Sequence, residues 1–284
     1  MNPLLLQSII RNALNEDLGA GDVTTEALVD ENHRGAASLL VKQEGVVAGL
    51  PVAEEVFRQL DPAVQFERLV REGDRVAKGT RIARIKGKTR ALLSGERVAL
   101  NFLQRLSGIA TATRRVVRAL EGLNCRVLDT RKTVPGLRML DKYAVRVGGG
   151  TNHRFGLNHG ALIKDNHIAL AGSLAEAVRR VRERAGHMVQ VEVECDTLEQ
   201  VEEALQLSVD AILLDNMELD TMRRAVRMIA GRAWVEASGG VTEENARAVA
   251  ETGVDAISLG WLTHSPRALD ISLDWETVTE EAKK

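Results

Sequence analysis

The sequence predicts an α/β protein in two parts: an N-terminal α+β domain, then a parallel β/α domain that closes, or nearly closes, into a barrel. Three observations carry this. Up to about Thr111, strand-like and helix-like runs mix without a regular unit. Beyond it, short strand-like runs alternate with amphipathic helical ones, the pattern of a parallel sheet with helices outside. Each later strand also ends in a polar residue or a glycine: CRVL at Asp129, ALI at Lys164, VQVEV at Glu194, AILL at Asp215, VEA at Ser238 and AISL at Gly260. An open doubly wound sheet is the alternative to a barrel.

Taken in order, PLLLQSIIRNALNEDLG reads as an amphipathic helix that stops at Gly19. AASLLVK (Ala36–Lys42), VQFERLV (Val64–Val70) and RIARIKG (Arg81–Gly87) read as strands, with PVAEEVFRQL as a helix between the first two. A long helix follows over Thr89–Gly108. VREGDRVAKGTRIARI has the valine–glycine rhythm of biotinyl and lipoyl carrier domains. Those place a lysine at a hairpin tip between two half-domains; here there is neither a second half nor such a lysine, so the stretch reads as an ordinary strand–turn–strand. In the later part the helices are SLAEAVRRVRERA, TLEQVEEALQL, MELDTMRRAVRMIA and TEENARAVAETG, with apolar residues at three- and four-residue spacing.

The composition narrows the function. The chain has 284 residues and a formal net charge of -2, which argues against bulk nucleic-acid binding. Aromatic residues are only 3%, too few for single-strand stacking platforms. No apolar run approaches the ~20 residues of a membrane span, and nothing at the N-terminus resembles a secretory signal. Two cysteines, Cys125 and Cys195, make no disulfide framework and fit a reducing, cytoplasmic setting.

Against this near-neutral background, Asp129–His167 gathers Arg131, Lys132, Arg138, Lys142, Arg146, Arg154 and Lys164, opposed only by Asp129, Asp141 and Asp165. Such a cluster fits a pocket for a small, strongly anionic ligand. Arg131, Lys132, Arg154 and Lys164 are the cations expected at the barrel mouth, the arginines matching carboxylates bidentately. His153 beside Arg154 can donate a hydrogen bond or a proton near neutral pH. The three histidines His153, His159 and His167 lack a compact zinc-ligand spacing, and the neighbouring cations repel a metal. Lys164 at a strand end also fits a Schiff-base enzyme. SGGVTEEN and SLGWLTHS end the last two strands, where barrels often bind phosphate, which nominates Ser238, Gly239, Gly240 and Gly260. Glu194 and Asp215, from neighbouring strands, can accept from ribose hydroxyls or help hold Mg²⁺; the alternative is a buried network with Lys164 or Arg131.

DTRKTVPGLRMLDKYAVRVGGGTNHRFGLNHGALIKDNH resembles the quinolinate phosphoribosyltransferase family. So do, in order, NEDLGAGDVTTEAL, GERVALNFLQRLSGIAT, VEVECDTLEQ, ILLDN, EASGGVTEENARAVAETGVDAISLGWLTHS and LDISLD, which together cover essentially the whole chain. The resemblance implies an N-terminal α+β domain over residues 1–110, joined by the C-terminal segment 271–284, and an irregular β/α barrel of about seven strands over 111–270. It implies transfer of phosphoribosyl from phosphoribosyl pyrophosphate to quinolinate with decarboxylation, Mg²⁺ as cofactor, and a homodimer or higher assembly with sites shared across the interface. By position, Arg97 resembles the arginine that crosses that interface. Arg131, His153, Arg154 and Lys164 resemble the quinolinate pocket, with Lys132 close by. Glu194 and Asp215 resemble the ribose- and metal-facing pair, and Ser238, Gly239 and Gly260 the 5′-phosphate site. Lys132, Lys164, Glu194 and Asp215 are the residues expected to act in the chemistry. Within the same fold the rivals are a relative found with molybdate transport systems, a transferase for nicotinate itself, and an anion binder without turnover.

Overall fold

The computed structural model describes residues 1–276, so the last eight positions of the expected C-terminal segment lie outside the described residues. The chain divides into two compact units. The first holds Met1–Ala112, Val134–Gly149 and the segment from Ser265; the second holds Thr113–Thr133 and Gly150–His264.

Helix α1 (Pro3–Leu18) begins where the Asn2 side chain accepts from the amides of Leu4 and Leu5, with Pro3 preset for the first turn. It ends at Gly19, whose φ of 51° suits glycine. Helix α2 (Val23–Leu28) is capped by Asp22. Then come β1 (Arg34–Val41), β2 (Gly45–Val46), α3 (Leu50–Leu60), β3 (Gln65–Arg68), β4 (Arg75–Val76), β5 (Arg81–Lys88) and the long α4 (Thr89–Ala119), which runs past the expected end at Gly108. β1 and β5 pair antiparallel, and β5 pairs with β3. The carrier-like stretch is not a simple hairpin: its β4 pairs with β2 instead. Ile10, Leu39, Phe57, Ile85 and Leu106 are buried in one core, where each large side chain contributes roughly 1.5–3 kcal/mol.

β6 (Arg126–Leu128) opens the second unit, and α5 (Arg138–Val147) belongs to the first, placing Leu140, Ala144 and Val145 in its core. The second unit continues through β7 (Ala161–Ile163), α6 (Asp165–Ala171), α7 (Leu174–Arg184), β8 (Val191–Cys195), α8 (Leu198–Gln206), β9 (Ala211–Asp215), α9 (Leu219–Ile229), β10 (Trp234–Ser238), α10 (Ala246–Ala250), β11 (Ala256–Ser258) and α11 (Trp261–His264). β12 (Ile271–Trp275) then pairs antiparallel with β1 at the edge of the first unit's sheet, giving the order β12-β1-β5-β3.

The second unit's sheet is parallel, in the order β6-β11-β10-β9-β8-β7. About seven strands were expected; six are regular, and Thr151 adds a single parallel bridge to Leu128 on the outer side of β6. In β8, buried Val191, Val193 and Cys195 alternate with half-buried Glu192 and Glu194, so the two glutamates share one face. Parallel pairing gathers all six strand ends on one side, and that decides where the site lies.

Candidate active site

A cavity of about 500 Å³ opens at the carboxyl ends of the second unit's strands. Thr130, Arg131 and Lys132 line it beyond β6, Lys164 beyond β7, Glu194 from β8, Asp215 and Asn216 from β9, and Ser238, Gly239 and Gly240 from β10. His153 and Arg154, from the loop before β7, complete the wall. Nearly every residue expected at the mouth is therefore brought together.

Local geometry accounts for each placement. Asp129, fully buried, accepts from the His153 amide at 2.9 Å and from the Asn152 side chain, so it pins the loop that carries Arg154. The Arg154 guanidinium donates to the Gly160 carbonyl at 2.7 Å. Burial, then the nearby Arg131 charge, holds its pKa below the usual arginine value, an electrostatic cost that an anion in the cavity relieves. Lys132 is fixed through its backbone: its amide donates to Thr130 at 2.9 Å, and its carbonyl accepts from Thr263 at 2.8 Å. Lys164 and Glu194 form an ion pair at the cavity wall, with the lysine half exposed and so not in a buried network. Asp215 accepts from the Asn216 side chain at 2.7 Å. At Gly239, φ is 83° and the Asn216 amide oxygen lies where a Cβ would stand, so only glycine fits.

Two expected residues do not line this cavity. Gly260 lies just after β11 against the Lys132 side chain, whose Cδ is 2.7 Å from where a glycine Cβ would be. Arg97 belongs to the first unit, exposed on α4. Sequence reasoning also missed residues that the structure places here: Asn216, Glu236, Ser258 and, on the far side of His153, Glu192. The signal was available, since period-two alternation puts Glu192 with Glu194 and Glu236 with Ser238 on the same face of their strands.

His153 is held more tightly than expected. Its Nε2 lies 3.2 Å from Glu192 and 3.4 Å from Glu236, and its Nδ1 accepts from the Arg154 amide at 2.7 Å. Burial works against charge on the ring, but the two carboxylates outweigh it and draw its pKa up to about 10. The Arg154 N–H needs a lone pair on Nδ1 and works the other way, so the proton shared by this cluster sits on the Nε2 side. Burial raises the pKa of Glu236. The candidate ligand atoms of His153, Glu192 and Glu236 all lie within 4.8 Å of one another, a set that could hold a divalent cation.

A parallel β/α domain whose strand ends carry clustered cations, two carboxylates and a Gly-Gly turn belongs to the class of enzymes that act on small anionic substrates. The model of the quinolinate phosphoribosyl transferase C-terminal domain matches residues 109–274, and that of the N-terminal domain matches residues 22–107. The chain belongs to the quinolinate phosphoribosyltransferase family. It is 49% identical over 274 residues to the probable nicotinate-nucleotide pyrophosphorylase (carboxylating) of Bacillus subtilis, covering 96% of this chain and 94% of that one. It is 46% identical to the protein of the same description from Synechocystis, covering 95% and 92%. The solved structure of NadC from Streptococcus pyogenes superposes with a TM-score of 0.94 at 42% identity, covering 97% of this chain and 99% of that chain. Among the described residues no helix is long and apolar enough to cross a membrane.

Proposed function

We infer that the chain transfers phosphoribosyl from phosphoribosyl pyrophosphate to quinolinate and releases pyrophosphate and CO₂, giving nicotinate mononucleotide. One observation carries the reading: Arg131, Lys132, Arg154 and Lys164 converge with Glu194 and Asp215 on a single cavity, in a chain that both family models match. Two substrates rich in negative charge need that many cations in one place, although the protein as a whole need not be basic.

Arg131, Arg154 and Lys164 take the two quinolinate carboxylates, with Lys132 beside them and His153 setting the wall. Ser238, Gly239 and Gly240 receive the 5′-phosphate through backbone amides and a hydroxyl, while Gly260 packs against the Lys132 side chain. Glu194 and Asp215 orient the ribose hydroxyls and offset the positive charge that develops at C1. The pyridine nitrogen bonds to C1 as the bond from C1 to pyrophosphate breaks. When CO₂ leaves, the electron pair of the C2–carboxylate bond stays on C2, where the charge of the adjacent pyridinium nitrogen stabilises it, and C2 is then protonated by Lys132, Lys164 or a water. Holding two mutually repelling anions in attack geometry is itself a large share of the catalysis.

Mg²⁺ takes oxygen ligands, and Glu194 and Asp215 offer carboxylates from adjacent strands at the mouth, so they fit it. The set of His153, Glu192 and Glu236 fits less well, because the Nε2 proton is committed to the two carboxylates. When bound, Mg²⁺ supplies charge neutralisation on the pyrophosphate leaving group. Arg97 reaches the cavity of a second copy in a homodimer or higher assembly, and the two free cysteines fit a cytoplasmic setting.

The test is one assay with quinolinate, phosphoribosyl pyrophosphate and Mg²⁺, following CO₂ and nicotinate mononucleotide together. Equal formation of both, absent when nicotinate replaces quinolinate, is the expected result. A folded protein that turns over neither would overturn the reading.

A further inference from the structure

The interior of the second unit holds two cavities, not one. Besides the one at the carboxyl ends of the strands, a cavity of about 390 Å³ opens at their amino ends. Its rim is formed by Arg126, Gln190 and Asp210, all exposed, and by Trp234, which is 38% exposed and carries the Arg126 guanidinium over its ring at 5.2 Å. This lower cavity is therefore open to water. Three residues line both cavities: His153, Arg154 and Glu236. Glu192 backs them from below.

A β/α barrel normally fills this level with branched apolar side chains. Here it holds a histidine between two carboxylates, one of them only 2% exposed. Burying such groups is costly unless each is paired, and these are. The arrangement does something an apolar layer could not: through the bond from the Arg154 amide to His153 Nδ1, it fixes the arginine that faces the anion.

Taking the transfer reaction as the activity, we propose that His153, Glu192 and Glu236 form a partition that keeps water in the lower cavity from the reacting ribose carbon. The chemistry makes such a wall necessary. Carbon C1 develops positive charge as pyrophosphate leaves, and water is a competent nucleophile for it. Water attack would form a bond from its oxygen to C1, break the bond from C1 to pyrophosphate and release one proton to solvent. The products would be ribose 5-phosphate and pyrophosphate, with no pyridine nucleotide. Excluding water prevents this loss. These are positioning residues: they act through the wall and not on the substrate.

The test is the ratio of ribose 5-phosphate to nicotinate mononucleotide formed from phosphoribosyl pyrophosphate. Both products come from the same active molecules, so the ratio does not move with the fraction of enzyme that is folded. Glu236→Ala opens room for at least one water, which needs about 30 Å³, in polar surroundings that will hold it. The ratio should rise about tenfold or more, whereas Glu236→Gln, which keeps the volume and a hydrogen-bonding group, should stay within about twofold of wild type. Adding Ala211→Met to Glu236→Ala plugs the lower cavity from beneath and should bring the ratio back down. If Glu236→Ala does not fold, Glu192→Ala opens the same wall from β8, on the other side of β9, and carries the same expectation. An unchanged ratio in the alanine variant, or no recovery in the double variant, overturns the partition. No nicotinate mononucleotide from the wild-type chain overturns instead the reading on which it rests.

Discussion

Asp129→Ala should loosen the anion-binding loop without touching any residue proposed to meet the substrate. Asp129 is fully buried and accepts from the His153 amide at 2.9 Å and from the Asn152 side chain. A hydrogen bond to a charged group is worth about 1.5–3 kcal/mol. Two such bonds put the truncation at about 3–6 kcal/mol, a large part of the ~5–15 kcal/mol that holds a domain together. The cost falls first on the loop, so the His153 amide should exchange with solvent about a thousandfold faster, since each 1.4 kcal/mol is a factor of ten. Re-ordering the Arg154 side chain on binding costs about 0.5–1.5 kcal/mol more, which predicts quinolinate affinity about two- to tenfold weaker by calorimetry. Asp129→Asn keeps one carbonyl acceptor and should lose about half of each effect. If the His153 amide of Asp129→Ala exchanges within about threefold of wild type, the buttress argument fails.

Other substitutions probe other parts. Arg131→Ala and Arg154→Ala should each raise the Michaelis constant for quinolinate by about two orders of magnitude, the cost of losing a bidentate charged contact, with little change for phosphoribosyl pyrophosphate; normal quinolinate binding by either would sink the pocket assignment. Arg97→Ala and Lys164→Ala, each inactive alone, should regain activity when their subunits are exchanged, because one site of each mixed dimer is then intact; confirmed mixed dimers without activity would exclude a shared site. In the first unit, Arg105 binds Asp141 through two bonds at 2.9 and 2.8 Å, with Asp141 fully buried, so Arg105→Ala should cost about 3–5 kcal/mol in urea unfolding. The amide of Lys88, against opposition from burial, holds the Asp61 carboxyl below its usual range. Its stabilisation is therefore present above a pH of about 4 and lost as pH falls through the depressed value, and Asp61→Asn should flatten that acid-side slope.

The parallel domain was legible because periodicity and strand ends are local signals. Glu194, Asp215 and Ser238 could be placed by counting along strands that end together, and the resemblance supplied which anions they face. The partners of His153 were not visible in the same way. A histidine between Asn152 and Arg154 gives no sign of what lies across a sheet, and Glu192 and Glu236 come from strands that are not neighbours. Alternation said that both point inward; only the folded structure, with His153 Nε2 3.2 Å from one and 3.4 Å from the other, says that they meet. Helix α5 illustrates a different limit. Its apolar stripe is plain, but a stripe does not say which core it fills, and Leu140, Ala144 and Val145 fill the first unit's although second-unit segments flank them in sequence. The two-residue pairing of β2 with β4 was hidden because so short a run carries no period.

A cation pocket underlain by carboxylates looks self-defeating, since Glu192 and Glu236 weaken the field that draws an anion in. The charges around Arg154 resolve it. Burial, then Arg131, depresses the pKa of Arg154, while the charge of Glu192 supports it, so Glu192 offsets part of the repulsion between cations in a partly buried space. Packing four cations together without such support would cost more than an empty pocket could sustain, and the side chains would swing out to solvent. With it they stay in place before substrate arrives, and pre-set donors lose least on binding. The same argument sets a limit on engineering the site. Making the floor neutral, by Glu192→Gln with Glu236→Gln, should strengthen the positive field yet weaken quinolinate binding, because the Glu192 charge that supports the Arg154 cation is lost; tighter binding by the double variant would show that the carboxylates only oppose the substrate.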